Sequence, residues 1–190
     1  ETCRGINLKS AGTFEITDNT FKLCKADQGG GFKYDNVNNK EGTETLIVSG
    51  NTFDSCIATS AGCAMYLRVN SAPTFSNNDV DNCRYGTMII QIVFIKPISE
   101  YVLDGFVFKN NEYHNSQGNE DAGGSGFWVD NANSASFTYK FRGVTWQENT
   151  ASYAGGAFGY GRNTNYRRND LIFESCTFIN NRCKEELGGA

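Results

Sequence analysis

A nine-residue motif recurs six times along the chain at nearly constant spacing, and this repeat constrains the fold more than any other feature of the sequence. The copies begin at Ile16, Val48, Phe75, Phe108, Phe141 and Phe173, and consecutive starts differ by 32, 27, 33, 33 and 32 residues. Periods of this length are typical of repeat proteins, in which each copy packs only against its neighbours. We therefore predict a single repeat domain over residues 1–190, as part of a longer repeat array or of a rod stacked end to end.

Two positions of the motif carry a large apolar residue in every copy. Position one is the starting residue of each copy, and position six is occupied by Phe21, Phe53, Val80, Tyr113, Trp146 and Phe178. Neighbouring positions are mostly polar, as expected for strands with one buried face. A second motif of paired glycines followed by β-forming residues, as in residues 29–34 and 155–160, indicates corners that need positive φ or close backbone approach.

Short strands, regular corners and the absence of helical periodicity predict an all-β fold, a parallel β-helix (solenoid) of about six rungs with a period of about 32 residues. In such a coil equivalent positions stack on one another. Position four would then form an amide ladder that hydrogen-bonds the turns, built from Asn19, Asn51, Asn78 and Asn111.

The motifs also resemble those of a known family. The segments 75–78, 108–111, 146–149 and 178–181 read FSNN, FKNN, WQEN and FINN, and they alternate with the GGA segments 155–157 and 188–190. This pattern is similar to the FxxN and GGA(I/L/V) repeats of the polymorphic outer-membrane protein family. The resemblance implies a right-handed β-helix on a cell surface, typically in an adhesin or an autotransporter passenger. Two features depart from the family: the first three copies end in Cys rather than Asn, and no barrel segment is present.

Composition narrows the classes of partner. The formal net charge is −4, which gives no reason to expect nucleic acid. The longest apolar stretch, residues 88–95, is too short to span a membrane. Seven cysteines with one histidine and no zinc spacing favour disulfides in an oxidising, extracellular setting.

The cysteine pattern leaves the disulfide connectivity open. Cys24, Cys56 and Cys83 share position nine of successive copies, which suggests either a stack of small residues or a disulfide between neighbours. Cys56 with Cys63 and Cys176 with Cys183 are competing pairs, each seven residues apart.

Four carboxylates flank position six on neighbouring copies, namely Asp54, Asp79, Asp81 and Glu112. Oxygen ligands at this separation would suit Ca²⁺, and a pair of them could act as the two carboxylates of a glycosidase. The competing interpretation is a solvated acidic face. We predict no other cofactor and assign no catalytic residue, because neither a GHG segment nor an adjacent Asp-Asp pair occurs.

The strand after the glycine corner carries a candidate binding strip. Tyr66, Ile89 and Trp128 are predicted to face outward on three successive copies, extended by Val93. Such a strip would bind a partner protein or the rings of a glycan, unless a loop covers it.

Taken together, the sequence predicts an extracellular, non-catalytic structural or adhesive segment of a surface protein or filament. Its partners would be itself or further repeats end to end, and cell-surface glycans or proteins. Two alternatives remain: a carbohydrate-active β-helix enzyme (a polysaccharide lyase or glycoside hydrolase) that uses the acidic face, and a calcium-stabilised sugar-binding module.

Overall fold

The computed structural model describes residues 5–10, 12–36, 44–84, 89–94, 99–113, 127–131, 137–152, 156–158 and 169–184. These residues form 22 short strands joined by turns, and no helix occurs among them. Every strand pair is parallel, although the chain returns to the same sheet only after about one motif period. The predicted all-β class is therefore confirmed, and the parallel sheets are consistent with a β-solenoid.

Two six-stranded sheets carry the nine-residue motif, with one strand from each copy in each sheet. In the first sheet the strands are β2 (Thr13–Thr17), β6 (Thr45–Ser49), β10 (Thr74–Ser76), β13 (Glu100–Asp104), β17 (Phe137–Arg142) and β20 (Asn169–Glu174). In the second they are β3 (Thr20–Lys22), β7 (Thr52–Asp54), β11 (Asp79–Asp81), β14 (Val107–Lys109), β18 (Thr145–Gln147) and β21 (Thr177–Ile179). In both sheets the strands lie in the order of the copies along the chain.

Two further sets of strands complete the arrangement. A five-stranded sheet contains β1 (Ile6–Leu8), β5 (Phe32–Asp35), β9 (Met65–Val69), β12 (Ile90–Phe94) and β16 (Phe127–Asn131). The last set comprises the pair β4 (Lys25–Gln28) and β8 (Ile57–Ala61), and the trio β15 (Glu112–Tyr113), β19 (Thr150–Ala151) and β22 (Arg182–Cys183). Arg84 bridges Ile57 to Glu112, so this set also follows the order of the copies.

Strand register corrects the alignment of the fourth copy. Leu103 pairs with both Phe75 and Phe141, so it occupies position one. Phe108 pairs with Val80 and Trp146, so it occupies position six. The prediction that placed Phe108 at position one and Tyr113 at position six was wrong by five residues. In the fourth copy, Leu103 with Phe108 and Phe108 with Tyr113 are both pairs of large apolar residues five positions apart. The loops before and after this copy differ in length, so an alignment that assumed a constant spacing between copies chose the wrong pair.

The two corners of the motif have the same backbone conformation in all six copies. Between the first and second sheets the chain passes through a left-handed residue, with φ between 51° and 65°, at Asp18, Gly50, Asn77, Gly105, Gly143 and Ser175. Five residues later a second left-handed column follows, with φ between 50° and 56°, at Leu23, Ser55, Asn82, Asn110, Glu148 and Asn180. Since non-glycine residues rarely adopt this conformation, its recurrence shows that the corners are part of the repeat.

The core consists of stacked side chains from equivalent positions. At position six, the rings of Phe21 and Phe53 stack 4.8 Å apart with planes within 6°. Trp146 and Phe178 stack at the same distance, 4.8 Å, and within 7°. Offset stacking of this kind adds to the hydrophobic burial of each ring. The prediction that position six forms one pile of large apolar side chains is therefore confirmed, with Phe108 in place of Tyr113.

Candidate functional site

The asparagines of the first three copies form the predicted amide ladder. The backbone N–H of Asn19 donates to Oδ1 of Asn51 at 3.0 Å, and that of Asn51 donates to Oδ1 of Asn78 at 3.1 Å. The Nδ2 group of Asn51 also donates to the carbonyl of Ile16 at 2.7 Å. Asn51 is 1 % exposed and Asn78 fully buried, so these bonds satisfy backbone groups that water does not reach.

Asn111 does not belong to this ladder, contrary to the prediction. Its backbone N–H donates to Oδ1 of Asn149 at 3.1 Å, and that of Asn149 donates to Oδ1 of Asn181 at 3.1 Å. These three residues occupy position nine, five residues beyond position four. The misalignment of the fourth copy hid this second ladder, because it assigned Asn111 to position four.

The two ladders replace one another between the third and fourth copies. At position four, copies one to three have asparagine and copies four to six have Phe106, Val144 and Cys176. At position nine the order is reversed: copies one to three have Cys24, Cys56 and Cys83, and copies four to six have asparagine. The thiol of Cys56 contacts the carbonyl of Phe21 at 3.4 Å, and Nδ2 of Asn149 donates to the equivalent carbonyl of Phe108 at 2.9 Å. The position-nine cysteines therefore fill the place of the amide with a small, weaker donor.

No disulfide joins the six cysteines that the structure describes, and Cys3 lies outside the described residues. The predicted candidates Cys24, Cys56, Cys63, Cys83, Cys176 and Cys183 are all present as thiols. Hydrogen bonding to Cys83 and burial raise the pKa of Cys56, and burial raises the pKa of Cys83. These thiols are thus held in their neutral, unreactive form.

The four predicted calcium ligands are distributed over three different columns. Asp54 and Asp81 are register partners on β7 and β11. Asp79 is paired with Thr52 instead, and Glu112 lies in another sheet. Asp54 instead forms a salt bridge with Lys22 at 2.7 Å, and this hydrogen bond lowers the pKa of Asp54. Among the described residues, no group of three or more His, Cys, Asp or Glu side chains could hold a metal ion. The geometry therefore gives no support to the calcium site.

The predicted apolar strip is only partly assembled. Tyr66 and Trp128 share a column, but the residue between them is Gln91 rather than Ile89. Ile89 is 1 % exposed and Tyr66 8 % exposed, so neither offers a broad apolar surface. The ammonium of Lys33 lies 5.1 Å from the centre of the Tyr66 ring. Val93 lies in a different column, beside Arg68 and Asp130. The outward placement of Ile89 was therefore wrong, because the strand is shifted by two residues.

A buried carboxylate that the sequence analysis missed joins two successive copies. Glu44 is 7 % exposed and accepts a hydrogen bond from Tyr34 at 2.8 Å and one from the side chain of Asn36. Its other oxygen accepts the backbone N–H groups of Asn70 and Ser71, the latter at 3.0 Å. Burial, followed by the bond to Glu44, raises the pKa of Tyr34. No local sequence signal marks this glutamate, because its partners come from segments up to 27 residues away.

Open clefts of about 470 and 460 Å³ lie on the surface formed by the described residues, one beside β4 and one beside β15 and β22. In the first, Asp27 accepts the Thr59 hydroxyl at 2.7 Å, and Lys33 donates to Gln28 at 3.0 Å. In the second, Lys184 pairs with Glu112 at 2.5 Å. The polar groups named here bond to one another.

Exposed apolar side chains are concentrated at one end of the sheets. Of the seven exposed large apolar residues among those described, five lie on β20 and β21: Leu171, Ile172, Phe173, Phe178 and Ile179. Both strands are edge strands. All five residues belong to the last of the six motif copies in the sequence.

No helix in the described residues is long and apolar enough to cross a membrane. No protein-family model matches the chain, and comparisons with curated proteins and with solved structures found no match either.

Proposed function

We propose that this chain is a non-catalytic structural or adhesive segment of a cell-surface protein or filament. In this proposal it folds as a right-handed parallel β-helix of six turns, one turn for each copy of the motif. The six-fold recurrence of both left-handed corners supports one turn per copy. The hand follows from the motif resemblance and from the strong preference of parallel strand connections for the right-handed form.

One observation carries the non-catalytic part of the proposal: the repeat uses its interior polar groups to hold its own copies together. The buried asparagines are bonded to neighbouring copies, as in the 3.0 Å contact between Asn51 and Asn78. Glu44 is likewise bonded to the ends of two strands. A catalytic site needs polar groups that remain available to a substrate.

The extracellular location is supported by the motif resemblance. Cysteine content does not add to it, because the six described cysteines are not joined in disulfides. Antibodies raised against the purified chain should label intact cells that express the whole protein. Labelling that appears only after the cells are permeabilised would contradict a surface location.

A panel of plant, algal and bacterial polysaccharides tests the catalytic alternative. We expect no depolymerisation by the wild-type chain. Because Asp54 and Asp81 lie side by side, the variants Asp54→Asn, Asp79→Asn and Asp81→Asn form the matched set. An activity that is present in the wild type and lost in Asp81→Asn, but retained in a distant variant such as Asp27→Asn, would refute the proposal.

A further inference from the structure

The polar cleft beside β15 and β22 crosses four successive copies of the motif. Its floor is a column of register partners from copies three to six, namely Arg84, Glu112, Thr150 and Arg182. Because neighbouring parallel strands lie about 4.8 Å apart, three strand spacings separate the two arginines by about 14 Å along the column. The volume of the cleft, about 460 Å³, is in the range of sites that bind small ligands.

Positive charge is available to a ligand at both ends of this column. Among the described residues, three cationic and two carboxylate side chains line the cleft. Lys184 is already engaged, since it pairs with Glu112 at 2.5 Å. Arg84 and Arg182 are exposed, and in the described part of the chain the guanidinium group of neither one forms a hydrogen bond or an ion pair. A guanidinium group can bind an oxyanion through two parallel N–H donors, so each arginine can hold one anionic group.

Between the two arginines the cleft offers uncharged polar groups. Thr150 contributes a hydroxyl to the floor, and the corner residues Asn82 and Asn110 line the wall. The Nδ2 group of Asn110 donates to Asp81 at 3.0 Å, which fixes the orientation of this amide. No aromatic or large aliphatic side chain lines the cleft within the described ranges. A ligand that fits is therefore rich in hydroxyl groups and carries anionic groups at intervals.

An acidic peptide fits this floor less well than a sugar does. The backbone N–H of Glu112 donates to the carbonyl of Cys83 at 3.0 Å. That of Thr150 donates to the carbonyl of Asn111 at 2.8 Å. Strand β19, in the middle of the trio, has a parallel partner on each side. The middle of the floor thus has no strand edge to which a peptide could add.

We propose that this cleft binds an acidic oligosaccharide, whose carboxylate or sulfate groups pair with Arg84 and Arg182. Hydroxyl groups of the intervening sugar units bond to Thr150 and to the corner asparagines. The inference rests on the proposed adhesive function, because it names the class of ligand that such a segment would hold. The cleft draws most of its lining residues from copies three to five.

Calorimetric titration of the whole chain tests this proposal. The probes are a uronate tetrasaccharide, a sulfated galactose tetrasaccharide, the neutral cellotetraose and a tetraglutamate peptide. We expect saturable binding of at least one acidic tetrasaccharide, weakened by added salt because the charges involved are exposed. Binding of only one of the two would identify carboxylate or sulfate as the recognised group. Absence of binding of both at low ionic strength, equal binding of cellotetraose, or tighter binding of the peptide would overturn the proposal.

Variants of the chain locate the site. Arg84→Gln and Arg182→Gln should each weaken binding by about tenfold, because a charge-assisted hydrogen bond is lost. Arg142→Gln is the matched control: it removes the same charge from the outward face of the first sheet, where Arg142 pairs with Asp104, and should leave the affinity unchanged. Thermal midpoints close to that of the wild type show that the variants are folded.

Equal weakening by all three variants would show a general charge effect and would overturn the proposal, as would binding that neither Arg84→Gln nor Arg182→Gln affects. Neither result would change the polysaccharide depolymerisation and cell-labelling tests, so failure of this site and failure of the proposed function are distinguishable.

Discussion

The asparagine side chains show how a single residue can set the register of neighbouring copies. Asn51 bonds to both neighbours at once, because its Oδ1 accepts from Asn19 and its Nδ2 donates to Asn78 and Ile16. An amide is needed here since it combines donors and an acceptor in one planar group. A slip of one residue would leave these buried groups without partners.

Replacing Asn51 by alanine should therefore destabilise the fold strongly. We expect a loss of about 2–4 kcal/mol in the free energy of unfolding, measured by urea denaturation, since buried backbone groups lose their partners. Asn19→Ala is the matched control, because Asn19 is exposed at the start of the same ladder. An equal loss in both variants would contradict a role of burial.

Leu23 occupies a left-handed corner that does not suit it. Its φ is 56° and its side chain is 64 % exposed, so the conformation is strained and no packing compensates. Leu23→Asn should raise the free energy of unfolding by about 0.5–1 kcal/mol, because asparagine tolerates this region better. The free energy of unfolding of both variants is measured by urea denaturation. Lys25→Asn, at an exposed position within strand β4, should not raise it.

At the scale of the elements, the glycine corner brings neighbouring backbones into contact. A Cβ atom at Gly30 would lie 2.5 Å from the carbonyl oxygens of Ile57 and Cys63 in the following copy. This confirms that close backbone approach accounts for the paired glycines. Gly29, immediately before, supplies the positive φ of the corner, at 63°.

Gly30→Ala should consequently cost more than a purely conformational change. Gly143→Ala isolates that conformational cost, because Gly143 has φ of 60° and open space around the new Cβ. We expect a loss of about 1–2 kcal/mol for Gly143→Ala, and a larger loss, or failure to fold, for Gly30→Ala. Comparable unfolding midpoints for the two variants would refute the close contact.

The sequence predicted the class of elements well and their register less well. Alternating apolar positions around Phe21, Phe53 and Val80 identified short strands, and the glycine pairs identified corners. The fourth copy could not be aligned by spacing, because loop length is not fixed by the interactions that define a copy. The outward strip failed for a similar reason: whether Ile89 or Gln91 pairs with Tyr66 depends on hydrogen bonds between copies, which no local pattern encodes.

For the whole molecule, the buried thiols and phenols predict the response to alkaline pH. The pKa values of Cys56, Cys83, Tyr34 and Tyr101 are raised in the folded chain, so the folded state retains these protons longer than the unfolded state does. Their contribution to stability is fully present below the pKa of the unfolded thiol, about 8.5, and is lost as the pH rises through the folded values.

We therefore expect the thermal midpoint to fall progressively above about pH 8.5. Labelling with a thiol reagent should modify the half-buried Cys176 and Cys183 well before Cys56 and Cys83, which react only when the chain unfolds. Rapid labelling of Cys83 in the native protein, or stability that increases between pH 8 and 10, would contradict these assignments.

The transfer of the amide from position four to position nine also restricts how such a chain can change by recombination. Copies one to three share one amide position and copies four to six the other. Duplicating a copy within its own block would preserve the polar contacts, whereas inserting a copy from the other block would create two new mismatched boundaries. We therefore expect related chains to gain or lose copies within either block. Each such chain should keep a single boundary at which the asparagine moves from position four, as in Asn78, to position nine, as in Asn111.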